Sequence, residues 1–197
     1  MIIKIENSNT QKIHKALSET LHTKYTQDGC EYHSNFHQKT GNLTLKSFDF
    51  NNGFNFNILR GDIAKFIQFE FTEDEDNYLR YFFVKNGELM HTVSTTIRYR
   101  LTNNFSCMVA AKGENNQLFT LPVQNNIEIL FIQMDTKRFS IDLKSDFFNM
   151  PKEMGKIFMN KKMESHFIYH GNYTLSISDT INEIITTQKE SLIKRFF

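Results

Sequence analysis

Read for hydrophobic spacing, the chain changes period twice. Ile13, Ala16, Leu17 and Leu21 recur at helical intervals behind Asn9 and Thr10, either of which can cap, so a helix is predicted over about 9–22. A polar, mixed stretch follows through Gly41. From there the period drops to two. Leu43 and Leu45, then Phe54, Phe56 and Ile58, predict two strands joined by a turn at Asn51-Asn52-Gly53, and Ile67, Phe69 and Phe71 form another alternating face. Strands over 78–84 and 88–93 flank Asn86-Gly87. That dipeptide predicts a tight hairpin, because it tolerates the positive φ angles of a type I′ turn. Further strands are expected over 95–101, 105–111, 118–121 and 127–134, with a turn at 112–116.

After Asp135 the period becomes helical again. Pro151 suits the first turn of a helix carrying Met154, Ile157, Phe158 and Met163, and Gly171 marks the next break. Ile177, Ile181, Ile184 and Ile185 form an apolar stripe, with Ser176, Ser178 or Asp179 as caps. A last amphipathic segment, 191–197, ends on Phe196 and Phe197 without a Gly or Pro stop. Burying each such ring is worth roughly 1.5–3 kcal/mol. The helix is therefore expected to continue in a longer protein, or to pack on a partner. Strands first and helices after give an α+β fold: one N-terminal helix, a small antiparallel barrel or sandwich, then C-terminal helices. The expected divisions are 1–40 (helix and polar connection), 41–135 (β region) and 136–197 (helical region), all within one compact domain.

Composition narrows the function classes. Cationic and acidic residues nearly cancel, at a formal net charge of +1, so no electrostatic footprint for nucleic acid or an anionic membrane is visible. No run approaches the roughly 20 apolar residues of a membrane span. Two cysteines far apart, behind an N-terminus that does not read as a signal peptide, point to the cytoplasm. The 20 phenylalanines suit an aromatic β core.

Candidate chemistry is sparse. Cys30, His33 and His37 have zinc-like ligand types, but a structural site usually takes four ligands and no fourth is nearby. His166 and His170 would share a helix face, yet the glutamate of a His-Glu-x-x-His hydrolase is missing, so both are expected instead to meet the negative end of a helix dipole. The run Glu73-Asp74-Glu75-Asp76 lacks the alternate spacing and glycine of a calcium loop. Arg98-Tyr99-Arg100 interleaves charge with an aromatic as base-stacking surfaces do, but reads first as a polar strand face. Neither a phosphate loop nor Gly-x-Ser-x-Gly occurs. No catalytic residue, metal site or cofactor is assigned, and the chain is expected not to be an enzyme.

The segments 81–89 (Tyr-Phe-Phe-Val-Lys-Asn-Gly-Glu-Leu), 119–122 (Phe-Thr-Leu-Pro) and 126–132 (Asn-Ile-Glu-Ile-Leu-Phe-Ile) resemble the N-terminal domain of AraC-family transcription regulators. So do Ile181-Asn182-Glu183-Ile184 and the segment 192–197. The resemblance covers about 40–197. It implies a cupin-like barrel that senses a small-molecule effector, a homodimer formed through C-terminal helices, and DNA contacts made by a helix-turn-helix domain outside this chain. Tyr81, Phe83, His91 and Arg98 are the candidate ligand-binding residues, chosen because they fall on predicted central strands. Leu192, Ile193, Phe196 and Phe197 are the candidate dimer contacts. His91 has no second histidine two residues away, so the paired histidines of metal-binding cupins are missing. The alternative is a stand-alone cupin-like binding protein or metalloenzyme, in which His91 or the Cys30, His33, His37 set would be engaged.

Overall fold

The computed structural model describes residues 1–6, 9–38, 41–50, 52–72, 78–92, 98–110, 117–139, 152–158, 167–171, 179–180 and 182–183. In chain order the elements are β1 (Ile2–Glu6), α1 (Thr10–Leu21), β2 (Tyr25–Asp28), β3 (Glu31–Gln38), β4 (Gly41–Asp49), β5 (Phe54–Ile63) and β6 (Ile67–Thr72). They continue with β7 (Tyr78–Asn86), β8 (Leu89–Thr92), β9 (Arg98–Leu101), β10 (Phe105–Ala110), β11 (Gln117–Leu121) and β12 (Gln124–Asp135). The last are α2 (Thr136–Phe139), α3 (Lys152–Phe158) and β13 (Phe167–Gly171).

The strands form two sheets, a five-stranded one in the order β1-β6-β11-β8-β9 and an eight-stranded one in the order β13-β10-β7-β12-β5-β4-β3-β2. Pairing is antiparallel except between β1 and β6. Among the described residues the two sheets face each other without joining, as a sandwich.

The helix forms where its spacing predicts. Asn9 is the cap, its Oδ1 accepting from the Lys12 backbone N–H at 2.8 Å, and Ile13 and Leu17 are buried. His22 ends it in the left-handed region at φ 52°. Three expectations fail. The polar stretch before Gly41 contains β2 and β3, which extend the eight-stranded sheet. Their side chains hide the signal, since β3 alternates Tyr32, Ser34 and Phe36 on its buried face and one of the three is polar.

The second correction concerns Asn86-Gly87. Both edges of β7 are occupied, by β10 and β12, so β8 has no place beside it and pairs instead with β9 and β11 in the other sheet. The dipeptide is a corner between sheets. Of the two residues only Gly87 takes a positive φ, 101°. Gln124 stands in for a strand at that corner: its Oε1 accepts from the Glu88 N–H at 2.7 Å, and its Nε2 donates to the Glu88 carbonyl at 2.8 Å.

The third is the 136–197 region, where α2 and α3 form but 167–171 is a strand that returns to pair with β10. His170 therefore lies on a sheet edge, not on a helix, and the dipole reading of that histidine falls. The predicted features at 73–76, 112–116, Pro151, Met163, His166, Ile177, Ile181, Ile184, Ile185 and 191–197 lie outside the described residues.

Candidate functional site

Strand parity decides what meets between the sheets. On β7, Arg80, Phe82 and Val84 point inward, and on β12 so do Ile127, Ile129, Phe131 and Gln133. From the five-stranded sheet, Phe71, Phe119 and Leu121 meet them, while Ile13 and Leu17 of α1 close the side over β3 and β4. Phe82 stacks between Phe119 (ring centroids 4.1 Å apart) and Phe131 (5.8 Å). These faces enclose a cavity of about 30 Å³ whose lining is entirely apolar, with Ile13, Leu17, Phe71, Phe82, Phe119 and Phe131 among its walls. A space without polar partners does not hold a fixed water. Ligand pockets run from about 300 Å³, so the walls have to part for a ligand to enter.

At one end of the same interior the lining turns polar. Arg80, fully buried, donates from Nη1 to Gln117 Oε1 at 3.3 Å and lies over the Phe71 ring at 4.5 Å. Burial lowers its pKa to about 9, so it stays a cation at neutral pH. Gln133 sits opposite Arg80 in the β7–β12 register, and Asn55 opposite Gln133 in the β12–β5 register. Asn57 Nδ2 donates to Asn55 Oδ1 at 2.7 Å and to the Phe131 carbonyl at 3.2 Å. Further along, His14 of α1 bridges two strands: its Nδ1 is 2.6 Å from Ser34 Oγ and its Nε2 2.8 Å from Ser47 Oγ. Burial, and secondarily the charge on His33, lowers the His14 pKa from 6.5 to about 4, so the ring is neutral at pH 7.

The residues proposed from sequence scatter over this frame. Tyr81 and Phe83 have the opposite parity to Phe82 and lie on the outer face of the eight-stranded sheet, packed with Phe48, Phe56, Ile58 and Leu130. Burial pushes the Tyr81 hydroxyl's pKa up. His91 is buried on the inner face and stacks on Phe119 at 4.5 Å, one ring away from the cavity. Tyr99 follows it, and the His170 ring meets Tyr99 edge-on at 4.1 Å where the two sheets come together. Arg98 and Arg100 are exposed, and Arg100 donates to Glu88 at 2.6 Å. Among the described residues, no three His, Cys, Asp or Glu side chains gather to hold a metal. His33 and His37 share a face of β3 but lie four residues apart, roughly 13 Å at strand rise. Cys107 is buried, its thiol pushed up to about 12 and so unreactive.

Sequence reasoning passed over Arg80, Gln117, Gln133, Asn57 and His14. Their signal was a polar residue at a position whose parity is otherwise apolar, as in Ile127, Ile129, Phe131, Gln133.

No family model matches the chain, and no curated protein matches it. Among solved structures it is similar to the cupin domain of an XRE-family transcriptional regulator from Enterobacter cloacae, at 15% identity and a TM-score of 0.38 over 47% of this chain and 95% of that one. It is also similar to an apo ToxT structure from Vibrio cholerae, at 16% identity and a TM-score of 0.44 over 74% of this chain and 53% of that one. The Schizosaccharomyces pombe Cnp3 cupin domain matches at 11% identity and a TM-score of 0.38, over 55% of this chain and 71% of that one. The matched part of ToxT is about half of that protein's length. Similarity at this level assigns neither a ligand nor a partner. No described helix is long and apolar enough to cross a membrane.

Proposed function

We propose that this chain is the regulatory region of an AraC-type bacterial transcription regulator. In this reading a small apolar effector enters between the two sheets, and a second copy pairs through Leu192, Ile193, Phe196 and Phe197. DNA is contacted by a helix-turn-helix domain outside these residues, in the cytoplasm, and the chain carries out no catalysis. The observation that supports it most is the enclosed, wholly apolar cavity walled by both sheets and by α1. An interior space walled by separate elements suits a sensor, because a ligand shifts a conformational equilibrium only by binding its two states unequally. Coupling of that kind is typically about 1–3 kcal/mol.

The test has two arms. Sedimentation of the protein is expected to show a monomer–dimer equilibrium that Phe196→Asp shifts toward monomer; a strict monomer at high concentration rejects the pairing. Thermal unfolding across a panel of apolar compounds is expected to find one that raises Tm. A ligand at 100 times its Kd adds about 2.7 kcal/mol. A panel without any effect, together with a Leu17→Phe variant that fills the cavity at no cost to regulation in a reporter strain, rejects the sensor role.

A further inference from the structure

We propose that Asn52 is a spontaneous deamidation site, and that its conversion loosens the corner where β12 passes into α2. The chain holds two Asn-Gly dipeptides, Asn52-Gly53 and Asn86-Gly87, and the fold treats them oppositely. Neither takes part in the sensor reading.

The chemistry needs only the chain and water. In an Asn-Gly pair the glycine nitrogen attacks the asparagine Cγ; glycine carries no side chain to block the approach. The new N–Cγ bond forms as the Cγ–Nδ2 bond breaks, and the amide leaves as ammonia with the proton that the glycine nitrogen gives up. Water then opens the cyclic imide at either carbonyl carbon. One route gives an aspartate, the other an isoaspartate whose main chain runs through Cγ. No oxidation or reduction occurs.

At Asn86-Gly87 both reacting groups are tied down. Asn86 Nδ2 donates to the Asn126 carbonyl, and the Gly87 N–H donates to Asn103 Oδ1 at 2.7 Å. Ring closure there has to break both bonds. At Asn52-Gly53 the restraints are missing. Asn52 is exposed, and its Oδ1 accepts from the Phe54 N–H at 3.2 Å. That bond folds the side chain back along its own main chain, past the Gly53 peptide. The Phe54 N–H also points at the oxygen on which negative charge develops as Cγ becomes tetrahedral, as donors in an oxyanion hole do. Among the described residues, neither Asn52 Nδ2 nor the Gly53 N–H makes a hydrogen bond. Leaving group and nucleophile are both unrestrained.

The position gives the reaction a consequence. The Gly53 carbonyl accepts from the Asp135 N–H at 2.7 Å, fixing the start of β5 to the end of β12. Asp135 Oδ1 in turn accepts from the Lys137 and Arg138 N–H groups at 3.0 and 3.2 Å, where α2 begins. The contact is tight, since a Cβ on Gly53 would fall 2.7 Å from the Arg138 Cβ. An isoaspartate inserts a main-chain carbon immediately before Gly53, and either product brings a second negative charge toward Asp135. Both changes oppose the present corner.

Incubation of the purified protein at mildly alkaline pH, with a urea-unfolded portion in parallel, tests this. Tandem mass spectrometry of tryptic peptides reads the amide-to-acid mass gain at each asparagine, and isoaspartyl methyltransferase labelling reads the isoaspartate. In the folded protein Asn52 is expected to convert at least tenfold faster than Asn86. In urea, where only the shared dipeptide remains, the two rates should agree within about threefold. Asn52→Ser should remove the Asn52 signal and leave that of Asn86 unchanged. Aged parent should unfold at a lower urea midpoint than fresh parent, and aged Asn52→Ser should show no such loss. No conversion at Asn52, equal rates at the two sites in the folded protein, or a tenfold excess at Asn52 that persists in urea overturns the site. An unchanged midpoint in fully converted protein overturns the loosening of the corner.

Discussion

The two ends of the space between the sheets are built on opposite economies. At one end, Phe82, Phe119, Phe131 and their aliphatic neighbours remove apolar surface from water and leave only a small dry gap. At the other, Gln117, Gln133 and Asn57 bury polar groups whose hydrogen bonding is incomplete, and His14 is held neutral between two serines. Burial of apolar area stabilises at roughly 25 cal/mol per Å², whereas an incompletely bonded polar atom opposes folding. The first end accounts for why the sandwich stands. The second has no such account from stability alone, and for that reason it is where function is sought.

Substitutions that remove this contrast should separate the ends. Phe82→Ala strikes the stabilising end, where the ring is buried and stacked on two others. It is expected to cost about 3–5 kcal/mol, read from the urea midpoint at unchanged slope.

Acid should act at the other end through His14. Its native pKa of about 4 lies below the ordinary histidine value of 6.5, so between these values the unfolded chain binds a proton that the native chain does not. The contribution is full above pH 6.5, shrinks as the pH falls toward 4, and then levels off. The span corresponds to about 3 kcal/mol. Urea titrations at pH 7 and pH 4.5 should show a smaller difference for His14→Gln than for the parent; equal differences would mean that His14 is not held neutral.

Gly61 tests the apolar end through the backbone. Its φ is 126°, and an added Cβ would fall 1.8 Å from the Asn42 carbonyl oxygen on the neighbouring strand. Gly61→Ala is therefore expected to destabilise by at least about 2 kcal/mol, since strand β4 has to move away.

The smallest effect is expected where the polar end is made apolar. Gln133→Leu deletes two buried atoms without partners, so its stability should stay within about 1 kcal/mol of the parent or rise. A loss of 3 kcal/mol or more would show that Gln133 is a structural member of the layer. The contrast between the two ends would then be one of composition only.

Local pattern made much of this molecule legible. The α1 cap at Asn9, the face carrying Ile13 and Leu17, and the alternation on β4, β5, β10, β11 and β12 all follow from side-chain spacing, because a helix or strand presents its residues at a fixed period. Spacing also places Phe82 and Phe83 on opposite faces of one strand. It does not say which face looks inward; Phe82 packs with the residues around the cavity, whereas Tyr81 and Phe83 pack on the other face of the sheet.

The partners of each strand were decided only by the tertiary structure. Asn86-Gly87 carries a strong local preference for a hairpin, yet β10 and β12 occupy both edges of β7 and send β8 to the other sheet. The same pairing brings Arg80, Gln117 and Gln133 to one end of the interior from three different strands. A period in the chain specifies what faces alike within one element; the meeting of faces depends on hydrogen-bonded edges that no local stretch contains.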